Sequence, residues 1–397
     1  MRRLFLFSLI LLTISGIIFC ADFGLELDQL VEVKNDLYTY EAGVTPWFSY
    51  SNGRNISLYF SVIFTFRFSG DYSKNNTLAL IPEISRFTFL CNFNENISLE
   101  AGRMEYNDGL DFIASGLFDG LRFGVELPPG SLSASVFYTG FLYKETAAIV
   151  MTDTDSFYYD IPFKITNYGD YFASRRMLAA VSWDMPLEFN TGNGAKLSAD
   201  ILAQFDFNRR ADTLHSQYIT ALMEFYPKDM LRVSGGLLFS MMQNGYGNFG
   251  TAFGFLAQCK IGFHSTKVSD LLGITAKATF GTVKNDFNSY TPVSGVPQGS
   301  VFEETLSGLA LLCVDYNIKI TKTLFAQCAV SYFVRTYNVP DEGNFYGGEF
   351  FASFGWQPLD DISVFLGGGV FIPGMGNVYP KGTGVMWKVT AGFTLSF

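Results

Sequence analysis

Residues Val385 to Phe397 alternate without interruption. Val385, Trp387, Val389, Ala391, Phe393, Leu395 and Phe397 share one side of an extended chain, and Met386, Lys388, Thr390, Gly392, Thr394 and Ser396 share the other. A strand projects successive side chains to opposite faces, so one face here is wholly apolar and the other is small or polar, with one lysine. Ile56 to Phe68 repeats the design, with Ile56, Leu58, Phe60, Val62, Phe64, Phe66 and Phe68 against Ser57, Tyr59, Ser61, Ile63, Thr65 and Arg67. In Leu197 to Asn208 the polar face carries Asp200, Gln204, Asp206 and Asn208. Two acids on one face of one strand are costly in a dry core and inexpensive in a water-filled lumen, so that face is expected to meet water.

Similar alternation marks Leu231 to Met241, Thr251 to Phe263, Leu272 to Gly281, Leu306 to Ile318, Leu324 to Arg335, Tyr346 to Gln357 and Ile362 to Ile372. Less regular segments cover Phe23 to Val33, Tyr38 to Tyr50, Ala79 to Phe93, Ile97 to Gly102, Leu121 to Leu127, Leu132 to Leu142, Arg176 to Leu187 and Ile219 to Phe225. Together they number about 18, or 16 if the first hairpin around Asn35-Asp36 does not form; either is even, as single-chain bacterial barrels require. The connections alternate too. Short turns rich in Gly, Pro, Asn and Asp, such as Pro128-Pro129-Gly130, Pro227-Lys228-Asp229 and Pro358 to Asp361, separate longer ones, notably Arg103 to Gly120, Lys144 to Arg175, Thr282 to Glu304 and Pro373 to Gly384. Periplasmic turns and extracellular loops follow that rhythm, with both termini on the short-turn side. The expected fold is all-β, a transmembrane antiparallel up-and-down β-barrel. Aromatics near strand ends, including Phe48, Tyr50, Phe93, Phe225, Tyr226, Tyr332, Trp356 and Phe397, are placed for interfacial girdles.

Composition supports a membrane β protein. Hydrophobic residues make up 48% of the chain and charged residues 16%, yet beyond the N-terminus no apolar run approaches the roughly 18 residues of a spanning helix. Since hydrocarbon offers no partner to an open sheet edge, strands that cross it must close into a barrel. The net charge of −10 and pI ≈ 4.8 exclude nucleic acid as an expected partner. Residues 1 to about 21 read as a secretory signal, with Arg2 and Arg3 before the apolar run Leu4 to Phe19, and 22–397 as one barrel domain. Arg2-Arg3 touches a twin-arginine pattern, but a barrel crosses the inner membrane unfolded, which favours the general secretory route. Phe19 stands where a small residue should precede a lipidated cysteine, which argues against lipidation of Cys20.

The terminal strand also carries a specific pattern. Thr390, Gly392, Leu395 and Phe397, with Phe393 on the apolar face, give the order polar, x, Gly, x, x, hydrophobic, x, aromatic. It resembles the terminal insertion signal of bacterial outer-membrane β-barrel proteins, and the architecture resembles general or substrate-selective porins. The resemblance implies integral placement in the outer membrane and contact with its lipid. It also implies assistance from the barrel-assembly machinery and periplasmic chaperones, and passive diffusion of small hydrophilic solutes or ions.

Catalytic and metal chemistry are not expected, and no cofactor is implied. The chain has two histidines, His215 and His264, neither at ligand spacing. Asp212 and His215 at the extracellular rim are the one enzymatic hint, and polar residues ending a strand explain them as well. Four cysteines follow the signal: Cys91, Cys259, Cys313 and Cys328. Cys313 and Cys328 flank the turn near Thr321 at similar distances, but parity points them to opposite faces, which opposes a disulfide.

About 18 strands enclose more space than side chains alone fill, so the barrel must hold water, an inserted loop or a plug. With little chain ahead of the first strand, an N-terminal plug is not expected. The third extracellular connection, Arg103 to Gly120, carries Leu110, Phe112, Ile113, Leu117 and Phe118 beside Glu105, Asp108, Asp111 and Asp119. Its apolar side is expected to pack on the inner wall while the acids line a constriction that favours cations; the other reading is a surface loop held by its neighbours. Lys144 to Arg175, with Ala147 to Met151 inside it, is the second candidate for insertion. Parity places Arg67, Asp200, Asp206, Glu224, Arg232, Lys260, Lys277, Asp315, Arg335, Glu349 and Lys388 in the lumen. The alternative function is a non-conducting surface barrel whose loops act in adhesion or as antigens. Solute, ion selectivity and oligomeric state are not legible in the sequence.

Overall fold

The alternating segments form eighteen long antiparallel strands, each hydrogen-bonded to its neighbour in the chain. They are β1 (Ala21–Lys34), β2 (Leu37–Ser51), β3 (Ile56–Asp71), β4 (Asn76–Asn94), β5 (Ile97–Asn107), β6 (Ser115–Leu127), β7 (Gly130–Tyr138), β8 (Arg176–Glu188), β9 (Gly194–Asp206), β10 (Leu214–Lys228), β11 (Leu231–Asn244), β12 (Phe249–His264) and β13 (Ser269–Gly281). A short pair, β14 (Val283–Lys284) and β15 (Phe287–Asn288), decorates the next connection. The wall resumes with β16 (Leu309–Lys319), β17 (Leu324–Arg335), β18 (Phe345–Leu359), β19 (Ile362–Pro373) and β20 (Met386–Ser396). Registers of β1 against both β2 and β20 close the sheet on itself, so the first hairpin belongs to the wall and the count is eighteen. The computed structural model describes residues 21–53, 55–71, 76–164, 167–188, 194–208, 210–228, 230–264, 269–284, 287–374, 378–379 and 382–397. Of the expected signal, residues 1–20 lie outside the described residues.

The two faces of the wall differ as the alternation requires. Ile201 (58% exposed), Leu237 (68%) and, along β20, Trp387, Val389 and Phe393 stand outward. An apolar outer band around a closed barrel suits hydrocarbon, where a strand's own carbonyls and amides must all be paired within the protein. Among the described residues no helix is long and apolar enough to cross a membrane.

One stretch of wall departs from the regular ladder. β4 and β5 pair only from Phe87↔Arg103 to Asn94↔Ile97, although β4 begins at Asn76 and β5 continues to Asn107. Beyond Arg103 the β5–β6 hairpin stays paired with itself as far as Asn107↔Ser115, but its tie to β7 ends at Asp119↔Tyr138. The hairpin tip therefore leaves the sheet and turns into the lumen. Gly102 sits at the point of departure with φ +124°, a conformation side-chain-bearing residues rarely adopt, and any Cβ there would run into the Phe87 carbonyl. The expected connection from Arg103 to Gly120 is thus mostly strand. Only residues 108–114 form the loop, because the glycines that bend the hairpin also interrupt its alternation.

Side chains close the gap this leaves beside β4. Arg103, 5% exposed, donates to the Ile84 carbonyl, to the Phe141 carbonyl at 3.1 Å and to both oxygens of Asp119 at 2.8 and 2.9 Å. Its guanidinium also lies 3.5 Å from Glu83, and the Tyr171 hydroxyl donates to the Pro82 carbonyl at 2.7 Å. A planar five-donor group suits the place, since it serves one strand carbonyl, one turn carbonyl and two carboxylates at once. Arg103→Ala would strand Glu83 and Asp119 without their cation. It is expected to lower stability by roughly 3–5 kcal/mol, seen as an earlier urea midpoint of the refolded barrel in detergent; an unchanged midpoint would show that the seam does not rely on this residue.

Candidate functional site

The interior is the site, and three connections from the long-loop end fill the half of it nearest that end. The first is 108–114. Asp108, 2% exposed, folds the loop around its own carboxylate, accepting from the amides of Leu110 (3.3 Å), Phe112 (3.1 Å), Ile113 (2.7 Å) and Ala114 (2.9 Å). A buried carboxylate is tolerable only with such partners. Asp111 turns the tip at φ 55°. Leu110, Phe112 and Ile113 then join one buried apolar cluster with Leu178, Leu202, Tyr218, Leu238 and Met242 from the inner wall. The wall grips the loop through Asp200, which accepts the Gly109 amide at 2.9 Å and the Thr220 hydroxyl at 3.1 Å.

The second is 139–175, which contains helices α1 (Lys144–Ala147) and α2 (Asp153–Asp160). Thr152 caps α2 and Asp155 completes the capping box. Asp155 also meets Arg176, a fully buried wall arginine, at 2.6 Å, and Arg210 at 3.0 Å. Arg176 in turn reaches Asp206 at 3.2 Å. Lower down, Arg67 pairs with Glu41 at 2.5 Å and with Glu145 of α1, and Glu83 accepts from the Thr146 hydroxyl at 2.9 Å.

The third is 282–308. Glu349 on β18 accepts the amides of Ser300, Val301 and Phe302 at 2.7, 3.0 and 2.8 Å. Phe302 stacks on Phe371 (centroids 4.8 Å apart) and packs on Phe333. Glu303 extends to Lys34 (2.6 Å) and Lys388 (3.5 Å). The loops also hold one another: Tyr290 donates to the Phe112 carbonyl at 2.5 Å, Val293 N to Ile113 O at 2.7 Å, and Gly295 N to Ala148 O at 2.7 Å.

Several residues assigned by parity to the lumen meet inserted loops instead of open water, so the interior is not uniformly wet. Asp200, Asp206 and Glu349 are buried under loops and saturated with donors. Asp206 accepts the Leu214 amide at 3.1 Å, and Arg335 pairs with Glu342 at 2.6 Å between the rings of Tyr337 and Tyr346. Of the four acids expected to line a constriction, Asp108 is spent on its own loop and Asp119 on Arg103. Asp111 is exposed at the tip, within electrostatic reach of Lys277 and Lys260. Burial pushes its carboxyl up and the two lysines pull it back. Glu105 lines a cavity of ≈ 680 Å³ beneath the tip, with Glu100, Arg122, Lys196, Glu224 and Arg232. Arg122 and Glu100 pair there at 3.0 Å, Lys196 and Asp184 at 3.0 Å, and Arg232 with Glu224. Asp315 lies nearer the short turns with Asn317 as its donor at 2.8 Å.

Sequence reasoning missed the apolar inner wall and the anchors Arg176, Asp155 and Glu83. The signal existed in the non-alternating runs Leu237-Leu238-Phe239 and Met241-Met242, apolar on both faces as a strand covered on both sides must be. Asp212 accepts the Thr154 amide at 2.9 Å, while His215 Nδ1 accepts the Asp206 amide at 3.2 Å, so the rim pair is divided between separate structural tasks. Cys313 lies opposite Ser331, and Cys328 opposite Tyr316; the four cysteines among the described residues are free thiols.

The barrel superimposes on crystal structures of Pseudomonas aeruginosa proteins. OccK5 (OpdH) matches with TM-score 0.57 at 10% identity, over 96% of this chain and 99% of that one. OprD matches with TM-score 0.56 at 10% identity, over 95% of each chain. OpdK in complex with vanillate matches with TM-score 0.55 at 12% identity, over 95% of this chain and 98% of that one. The fold is that of a porin-like outer-membrane β-barrel. No protein-family model and no curated protein matches the chain.

Burial alone pushes the Asp155 carboxyl up, but the Arg176 guanidinium, the Ser174 hydroxyl and the Met151 amide outweigh it and hold the group below its usual range. A depressed folded value means that the stabilisation is complete above the unfolded value of about 3.9 and is lost as pH falls through the folded one. The 139–175 loop should therefore stay docked at pH 7 and 5 and loosen only below about pH 4. A spin label at Phe157→Cys, with Cys91, Cys259, Cys313 and Cys328 replaced by serine, reports it: constant mobility down to pH 5, then release; release already near pH 6 would refute the assignment.

Proposed function

We propose that the barrel is a channel for passive diffusion of small hydrophilic solutes or ions across the outer membrane, narrowed by the 108–114 loop. The observation that carries this reading is Asp111, exposed at the tip of a loop packed into the barrel and within electrostatic reach of Lys277 and Lys260. Opposed charges across a narrow, low-dielectric passage create a transverse field that orients dipolar solutes and sorts ions. Several other inward charges compete less in this, since Asp108, Asp200 and Glu349 are committed to holding loops and Arg122 and Arg232 are paired with Glu100 and Glu224.

Supporting features lie at both ends. Below the tip, the ≈ 680 Å³ cavity is lined by alternating acids and bases, which suits transient contact with hydrated solutes. At the terminal strand, Thr390, Gly392, Phe393, Leu395 and Phe397 fit recognition by the barrel-assembly machinery, with outward Phe393 and Phe397 exposed. That periplasmic chaperones assist the chain beforehand belongs to the same proposal. A scaffold role has one observation in its favour: Phe157, Tyr158, Tyr159 and Tyr168 stand exposed on the 139–175 loop, a surface suited to contact with another molecule.

Planar-bilayer recording on the refolded chain separates the two. Stable single-channel steps are expected, with Asp111→Asn shifting the reversal potential toward anions and Lys260→Gln with Lys277→Gln shifting it toward cations. Silent bilayers would defeat the channel reading, and a reversal potential indifferent to all three substitutions would defeat the constriction.

A further inference from the structure

The outward face of β1 carries one residue that does not suit hydrocarbon. Asp28 accepts the Thr394 hydroxyl at 2.8 Å and Lys34 reaches Glu303 of the inserted 282–308 connection, so the even positions of β1 face the lumen and the odd ones face out. Phe23, Leu25, Leu27, Val31 and Val33 keep that outward face apolar, and Gln29 stands among them at the middle of the strand, exposed. It lies opposite Ala42 of β2 on one side and Phe393 of β20 on the other. Among the described residues its carboxamide has no hydrogen-bond partner.

Other outward polar side chains have an escape. Gln217 and Thr251 stand within the first four residues of β10 and β12, where water at the membrane surface is in reach. Gln29 has none, because the nearer end of β1 is Lys34, and at about 3.3 Å per residue that end is beyond a glutamine side chain. Acyl chains offer an amide neither donor nor acceptor, so its polar groups must find a partner in protein. The wall around it is low: Ala42 lies directly opposite, Ala391 diagonally across on β20, and Gly368 and Ala352 on the next two strands. Small residues let a second backbone approach closely, which hydrogen bonding from a mid-wall side chain requires.

We propose that the barrel pairs with a second copy of this chain through the outward face of β1, the two Gln29 carboxamides hydrogen-bonded to each other across a two-fold axis. A carboxamide carries both a donor and an acceptor, so it is complementary to itself. A two-fold contact presents the same patch from both copies, and a residue at its centre meets its own equivalent. The pair therefore satisfies both amides at a depth where lipid satisfies neither. The inference uses the outer-membrane placement of the barrel and is independent of conduction.

Sedimentation equilibrium of the refolded barrel in density-matched detergent measures the association. A dimer is expected, weakened about tenfold by Gln29→Leu, the scale of side-chain hydrogen bonds between membrane-embedded segments. Leu237→Ala, on β11 across the barrel, should change it by less than about twofold, since that face takes no part. In isolated outer membranes, Gln29→Cys in a chain with every other cysteine replaced by serine should form a disulfide-linked dimer on oxidation, and Leu237→Cys should not. A monomer, a trimer, a dimer indifferent to Gln29→Leu, or a Gln29→Cys chain that stays unlinked under oxidant would overturn the proposal.

Discussion

Eighteen strands enclose more room than their own side chains can occupy, and the interior is organised around carboxylates that give the inserted loops somewhere to put their amides. Asp108 folds the 108–114 loop, Asp200 fastens it to the wall, and Glu349 takes three consecutive amides of the 282–308 connection. A loop pushed into a lumen loses the water that satisfied its backbone, at a cost of a few kcal/mol for each amide left bare. Charged acceptors offset that cost more strongly than neutral ones. The apolar contacts around Leu110, Phe112 and Phe302 then add area, but they depend on the loop being held inside first.

The same principle extends to the break in the wall. Where β4 and β5 part, β4 carbonyls lose their ladder partners and side chains replace them: Arg103 for Ile84, Tyr171 for Pro82. The inward turn of the hairpin and the sealing of the gap are therefore one event. It is the geometry that brings Asp111 to the lysines, so the proposed constriction depends on a guanidinium on the hairpin's other face.

The strands were legible because hydrocarbon enforces alternation: Ile56 to Phe68 and Val385 to Phe397 could hardly be read otherwise. What the inward charges do was not legible. Asp200 and Asp206 look like pore-lining acids in sequence, but Asp200 takes a donor from the inserted loop and Asp206 takes donors from the neighbouring wall strands. The inward hairpin was hidden because Gly102 and Gly120 disrupt the two-residue period where the chain bends, so strand residues resembled loop. Arg176 and Asp155 lie on different elements twenty-one positions apart, and no periodicity connects them.

Backbone amide exchange tests the central claim most directly, because it reads the loop amides themselves and needs neither conduction nor a ligand. On the refolded barrel, the amides of Phe112, Ile113, Ala114, Val301 and Phe302 should exchange as slowly as wall strands, and Asp108→Ala and Glu349→Ala should each release its own group. Exchange of these amides at the rate of unstructured chain, with the strands protected, would mean that the loops are not held in the lumen.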